Sequence, residues 1–253
     1  RLRALEGGLE GGRRSRRGTI SWLGVPYAAP PVGPLRFRAP QPVEPWQGTR
    51  ECDEYGFSPI QDRMFTARAD GRFHPRSEDC LTLNIWRPDN GQGNLPVIFF
   101  VYGGSNISGY TADPVYDGAN LAKAANAVVV TANYRLGVFG FLNLPQLKTG
   151  TDAASDSGNF ALLDSIQALK FVQANIDEFG GDPDNVTVMG QSAGAINTWA
   201  LLASPMATGL MHKAIPLSGG ISLASNLPAG TLPTLSPAET YELQGNALLH
   251  DLL

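Results

Sequence analysis

Gly190-Gln191-Ser192-Ala193-Gly194 sets a single hydroxyl between two flanking glycines. The run before it, Val186-Thr187-Val188-Met189, is apolar and β-branched, and the stretch from Ala195 to Ala203 has the composition of a helix. Glycines spaced this way at a change from strand to helix allow a cramped turn that pushes the serine Oγ into open space. The following amide, that of Ala193, then faces the same spot and can donate to an oxyanion. Such a serine does one kind of chemistry: attack on a carbonyl carbon through a covalent intermediate, with a base to take its proton.

The elements that must hold this turn can be read from the apolar runs. Thr19 to Leu23, Leu81 to Trp86, Pro96 to Tyr102, Ala127 to Tyr134, Val186 to Met189 and Ala214 to Leu217 read as strands. From Val97 onward these runs lack polar alternation, as expected of parallel strands covered on both faces. Between two of them, Leu162, Leu163, Ile166, Leu169, Val172, Ile176 and Phe179 predict a helix with one stripe against the sheet. Alternating strands and helices argue for an α/β fold with a parallel central sheet. The long polar stretches Gln61 to Ser77 and Leu144 to Ser157 are expected at the sheet's C-terminal edge, where such loops build a site.

Further motifs surround the turn. Phe179-Gly180-Gly181-Asp182-Pro183-Asp184-Asn185-Val186 runs directly into it. Glu78-Asp79-Cys80-Leu81-Thr82-Leu83-Asn84-Ile85-Trp86 and Leu23-Gly24-Val25-Pro26-Tyr27-Ala28 precede it, with Pro30-Pro31-Val32-Gly33 following the latter. In this order, from about Ile20 to Gly220, the chain resembles the type-B carboxylesterase and cholinesterase family of α/β-hydrolases. That resemblance implies an α/β-hydrolase fold, a mostly parallel central sheet with helices on both faces, and a single catalytic domain over residues 1–253.

The resemblance also assigns roles. Ser192 becomes the nucleophile of a carboxylic-ester hydrolase. The amides of Gly104 and Ser105, after Tyr102 and Gly103, join that of Ala193 in an oxyanion hole, with Gly103 making the turn possible. Ser105 stands where the family has glycine or alanine, which keeps the amide but narrows the pocket. Cys52 and Cys80 are implied to form a disulfide closing an early loop. Such a bond contributes roughly 3 to 4 kcal/mol and favours an oxidising compartment, secreted or periplasmic. Two free buried thiols are the alternative. Arg36 with Glu78, and Arg135 with Asp164, match buried ion pairs of the family. Gln191 precedes the nucleophile where cholinesterases carry glutamate, and Ser218 matches a serine that bonds near the catalytic histidine.

The base is the missing part. Of the three histidines, His74 precedes the serine, His212 sits in a stretch like a structural one of the family, and His250 lies in a leucine-rich tail. None has the expected flanks. The triad acid and histidine are therefore expected from a C-terminal segment or partner chain, and the 253 residues alone are expected to turn over ester poorly.

Composition narrows the rest. The chain is 43% hydrophobic and 17% charged with a net charge of −4, so no general basic field invites nucleic acid. Arg13-Arg14-Ser15-Arg16-Arg17 reads as the turn of an N-terminal hairpin. No apolar stretch reaches the roughly 18 to 20 residues a membrane span needs. No Cys/His cluster has metal-ligand spacing, and the chemistry needs neither metal nor cofactor. The interval from Cys52 to Cys80 holds no tryptophan, which speaks against choline esters, and Asn106-Ile107 suggests a more polar acyl side. The competing readings are a non-catalytic, cholinesterase-like adhesion domain, and an amidase or thioesterase using the same serine.

Overall fold

A computed structural model describes residues 8–10, 13–14, 18–220 and 246–250. Its strands are β1 (Gly8–Glu10), β2 (Arg13–Arg14), β3 (Thr19–Pro26), β4 (Thr49–Glu51), β5 (Thr82–Pro88), β6 (Leu95–Val101), β7 (Val128–Ala132), β8 (Gly181–Gln191) and β9 (Lys213–Leu217). The α-helices are α1 (Ala119–Ala125), α2 (Gly137–Gly140), α3 (Ala153–Asp156), α4 (Phe160–Asn175) and α5 (Ala193–Ala203).

Among the described residues, seven strands form the main sheet in the order β2-β3-β5-β7-β6-β8-β9. The pairs from β2 through β7 are antiparallel, and β7, β6, β8 and β9 run parallel. The sheet is thus mixed, and the parallel half carries the serine. Only β2 and β3 are near neighbours in the chain; the β3–β5 and β5–β7 pairs join segments far apart in sequence.

Burial along β7 shows why the apolar runs do not alternate. All five of its residues are buried. Val128 and Val130 enter the larger core with Val97, Phe99, Val186 and Val188, while Val129 enters a smaller one with Trp86, Ala119 and Ala122. One face of the strand meets α4 and its neighbours and the other meets α1, so both faces must be apolar. Each fully buried Val, Leu or Phe contributes roughly 1.5–3 kcal/mol.

The helix expected as a single stripe is more deeply buried than that. In α4, Phe160, Ala161, Asp164, Ser165 and Ala168 are buried along with Leu163, Ile166, Leu169, Phe171 and Val172, and Leu162 is half-buried. The α-helix ends at Asn175, and Ile176–Phe179 continue as a 3-10 turn. β8 begins earlier than its apolar run, at Gly181, and β3 extends to Pro26 past a register shift between Trp22 and Val25. At the N-terminus, Arg13 and Arg14 pair antiparallel with Ser21 and Ile20, while residues 15–17 lie outside the described residues. Residues 246–250 are helical, while residues 221–245 and 251–253 lie outside the described residues.

Register places the site. Val101 at the end of β6 lies opposite Gly190 of β8, and Gln191 lies opposite Leu217 of β9. Three chain segments therefore leave the sheet side by side at its C-terminal edge, where ligands bind in open α/β sheets.

Candidate active site

Ser192 sits between β8 and α5 at φ 57°, ψ −123°. A non-glycine residue held there is strained, and such strain persists only where the surroundings over-determine it. They do so here. The Ser192 amide donates to Leu217 O at 2.9 Å, and its carbonyl accepts from the amides of Ala195 at 2.9 Å and Ile196 at 3.1 Å. The flanking glycines have no room for a side chain. A Cβ on Gly190 would fall 2.1 Å from Gly194 O, and one on Gly194 would fall 2.1 Å from Val101 O. The helix start is thus pressed onto the end of β6.

The loop after β6 meets the serine directly. A Cβ on Gly103 would lie 2.6 Å from Gln191 O, 3.0 Å from Ser192 Cβ and 3.1 Å from Gln191 Oε1. The structure therefore brings Gly103, Gln191 and Ser192 into contact. Gly104 follows at φ 118°, and its carbonyl accepts from Ile107 N, Ser108 N and Ser108 Oγ. Ser105 and Asn106 then take left-handed backbone at φ 55° and 58°. Among the described residues, no hydrogen bond engages the amides of Gly104, Ser105 or Ala193, so these three donors are uncommitted. Ser218 follows β9 at φ 54° and is exposed, and Gly219 O accepts from the Trp199 indole at 3.1 Å.

Several side chains that hold this loop carried no signal in the sequence reading. The Gln61 amide pairs with both polar groups of one backbone residue: Gly109 N donates to its Oε1 and its Nε2 donates to Gly109 O, each at 2.9 Å. Tyr134 Oη donates to Tyr102 O at 2.6 Å, and the two rings stack with centroids 4.5 Å apart. Asn197 on α5 donates to Asn106 Oδ1 at 2.9 Å. The Asn106 carboxamide is thus engaged by the protein itself, while Ile107 beside it is exposed.

The histidines occupy structural posts. His74 Nε2 bonds Gly56 O at 2.9 Å, and its ring stacks on Tyr110. His212 clips the start of the β8 apolar run: its amide donates to Val186 O, and its Nδ1 accepts from Val186 N. His250 is exposed within 246–250. None of the recorded contacts brings an imidazole to Ser192.

Both expected ion pairs form, in different settings. Arg135 and Asp164 are buried, with Nη2–Oδ1 at 2.7 Å, Nε–Oδ2 at 2.8 Å and the Arg135 amide adding a third bond. Arg36 and Glu78 make a bidentate pair at the surface rather than in the interior.

The disulfide expected between Cys52 and Cys80 is not present; both thiols are free and buried. The backbone explains this. Cys52 O accepts from Leu23 N, whereas Cys80 precedes Leu81, whose carbonyl accepts from Tyr27 N. The two cysteines therefore sit at opposite ends of several residues of β3, on the order of 10–15 Å apart at about 3.3 Å per residue. A disulfide spans Cα separations of about 4.4–6.8 Å. Burial pushes the Cys52 thiol up to about 11 and raises that of Cys80 as well. With the bridge goes the argument for an oxidising compartment.

Among the described residues, no group of His, Cys, Asp and Glu could hold a metal ion, and no helix is long and apolar enough to cross a membrane. Residues 2–231 match the model of the carboxylesterase family. The chain is 46% identical over 205 residues to para-nitrobenzyl esterase of Bacillus subtilis, covering 81% of the chain and 41% of that protein. It is 43% identical over 215 residues to the medium-chain fatty acyl-CoA hydrolase precursor of Anas platyrhynchos, covering 81% of the chain and 37% of that protein. A solved PNB esterase superposes with a TM-score of 0.81 at 42% identity, covering 95% of the chain and 46% of that structure. The chain thus spans about two fifths of the length of the curated relatives it matches.

Proposed function

The chain belongs to the carboxylesterase family, and from that premise we propose that it supplies the nucleophile and oxyanion donors of a carboxylic-ester hydrolase. The observation that carries this reading is the forced turn at Ser192, pressed against Gly103 at the joined ends of β6 and β8. In this reading Ser192 Oγ attacks the ester carbonyl carbon while a histidine takes its proton. The carbonyl π electrons move to oxygen, and the amides of Gly104, Ser105 and Ala193 stabilise that oxyanion. Collapse of the tetrahedral adduct breaks the C–O bond, and the alcohol departs with the proton from the histidine. Water, activated by the same base, then cleaves the acyl-serine.

The histidine and its orienting acid come, in this proposal, from the C-terminal part of the enzyme, as the posts held by His74 and His212 favour. A thioester is the second substrate class to test, because one relative is named a fatty acyl-CoA hydrolase. The test is hydrolysis of a panel of p-nitrophenyl esters, acyl-CoA thioesters and anilides by the complete enzyme and its Ser192→Ala variant. Ester turnover lost in the variant supports the reading. Turnover of no substrate by the unmodified enzyme contradicts it and favours an adhesion role.

A further inference from the structure

The oxyanion loop has an unusual problem. Two consecutive non-glycine residues, Ser105 and Asn106, hold left-handed backbone directly after Gly104. Left-handed backbone is disfavoured for a residue with a Cβ, with asparagine among the more tolerant. Left alone, this stretch would relax and carry the Gly104 and Ser105 amides away from the Ala193 amide, which is fixed to a separate element, α5. Something must tie the loop to that helix.

One side chain does. Asn197 lies on the first turns of α5, five residues after the nucleophile, and is 4% exposed. Its Nδ2 donates to Asn106 Oδ1 at 2.9 Å. Burial keeps the Tyr134 hydroxyl protonated, and the Asn197 amide lies near that hydroxyl. The same hydroxyl donates to Tyr102 O, the carbonyl that enters the glycine turn. Asn106 O, finally, accepts from Gly137 N at 2.7 Å, so the loop is gripped from below as well as from the side. Asn197 thus touches the loop at Asn106 and neighbours its entrance through Tyr134 while belonging to the helix that presents Ala193.

We propose that Asn197 and Asn106 form a positioning pair, a carboxamide-to-carboxamide tie that holds the two halves of the oxyanion hole in register. Neither side chain touches the reacting atoms. Their effect is on where the amides of Gly104 and Ser105 stand relative to Ser192 and Ala193. A misplacement of about 1 Å in such donors can cost up to about 10²-fold in rate. This inference rests on the esterase reading of Ser192.

The experiment uses the complete enzyme and four variants: Asn197→Leu, Asn106→Gly, Asn106→Asp and the double variant Asn106→Gly/Asn197→Leu. Asn106→Gly keeps the left-handed backbone and removes only the tie, so it remains informative if the Leu variant folds poorly. Each protein is assayed for kcat and KM on an aryl ester and for binding of a trifluoromethyl ketone, whose serine adduct carries the oxyanion. N197L and N106G should each lower kcat on the order of tenfold, below the 10²–10³ that losing a donor outright costs. Ketone affinity should fall by a similar factor while KM moves by no more than about twofold. The double variant should be no worse than either single, as expected when both break one contact. N106D, which keeps the acceptor, should recover most of kcat. Unchanged kcat and ketone affinity in both single variants, or losses that multiply in the double, would overturn the tie. Ser192→Ala serves as the separating control. If it stays active the underlying reading fails, and if it is inactive while N197L and N106G match the parent, only the tie fails.

Discussion

The two ends of the parallel half-sheet differ in kind. At the ends of β6 and β8 the turns are held at several points: Gly194 against Val101, Gly103 against Ser192, Asn106 to Asn197, Gly109 to Gln61. On β9, the last strand of the sheet among the described residues, Ile215 and Leu217 remain exposed, as do Ile196 and Leu202 on the neighbouring α5. One region is closed and strained; the other is open and apolar, the state of a sheet edge that wants a cover. On the proposed reading of Ser192, the difference teaches that placing a nucleophile and activating it are separable tasks. Local packing within 253 residues accomplishes the first. The second needs a base that none of the recorded contacts supplies.

That division can be broken or sharpened by experiment. The largest effect is expected from Ser192→Ala in the complete enzyme, a fall in kcat on the order of 10⁶. Assay of the 253-residue chain alone should give a kcat at least about 10³-fold below the complete enzyme, since donors without a base leave only residual catalysis. Equal rates would erase the contrast between the two regions. Gly103→Val should cost about 10²-fold or more in kcat by driving the loop off the serine, with circular dichroism near that of the parent.

Stability should follow the burial of each ion pair. Asp164→Ala strands the Arg135 guanidinium in the interior and should cost about 3–5 kcal/mol in chemical denaturation. Arg36→Ala breaks a solvent-exposed pair and should cost far less, leaving the denaturation midpoint close to that of the parent. Near-equal costs would show that the two pairs are not distinguished by solvent. The thiols give an effect confined to alkaline pH. A folded-state pKa raised to about 11 at Cys52 means its contribution is complete below the unfolded value of roughly 8.5 and is lost as pH rises toward 11. The denaturation midpoint should therefore drop between pH 8 and pH 11 by more in the parent than in Cys52→Ala.

The serine turn and its strand were legible because they depend on local sequence: two glycines at fixed spacing and a β-branched run leave few alternatives. The parallel strands were legible for a similar reason, since Val128, Val129 and Val130 are apolar in succession to face two cores. The antiparallel half was less so, because pairing direction is set by partners distant in sequence, as Leu83 opposite Ala132 illustrates. The disulfide failed on the same ground. The family resemblance implied a bridge, but the strand pairings of Leu23 and Tyr27 decide how far apart the two cysteines lie. Gln61 and Asn197 went unread because an isolated amide carries no spacing signal, and its meaning appears only when a loop folds onto it.

The most direct measurement is fluorophosphonate labelling of the complete enzyme followed by peptide mass mapping. A single phosphonyl adduct on the peptide containing Ser192, absent from Ser192→Ala, is the predicted result. An adduct on another residue, or none on an enzyme that turns over ester, would contradict the assignment.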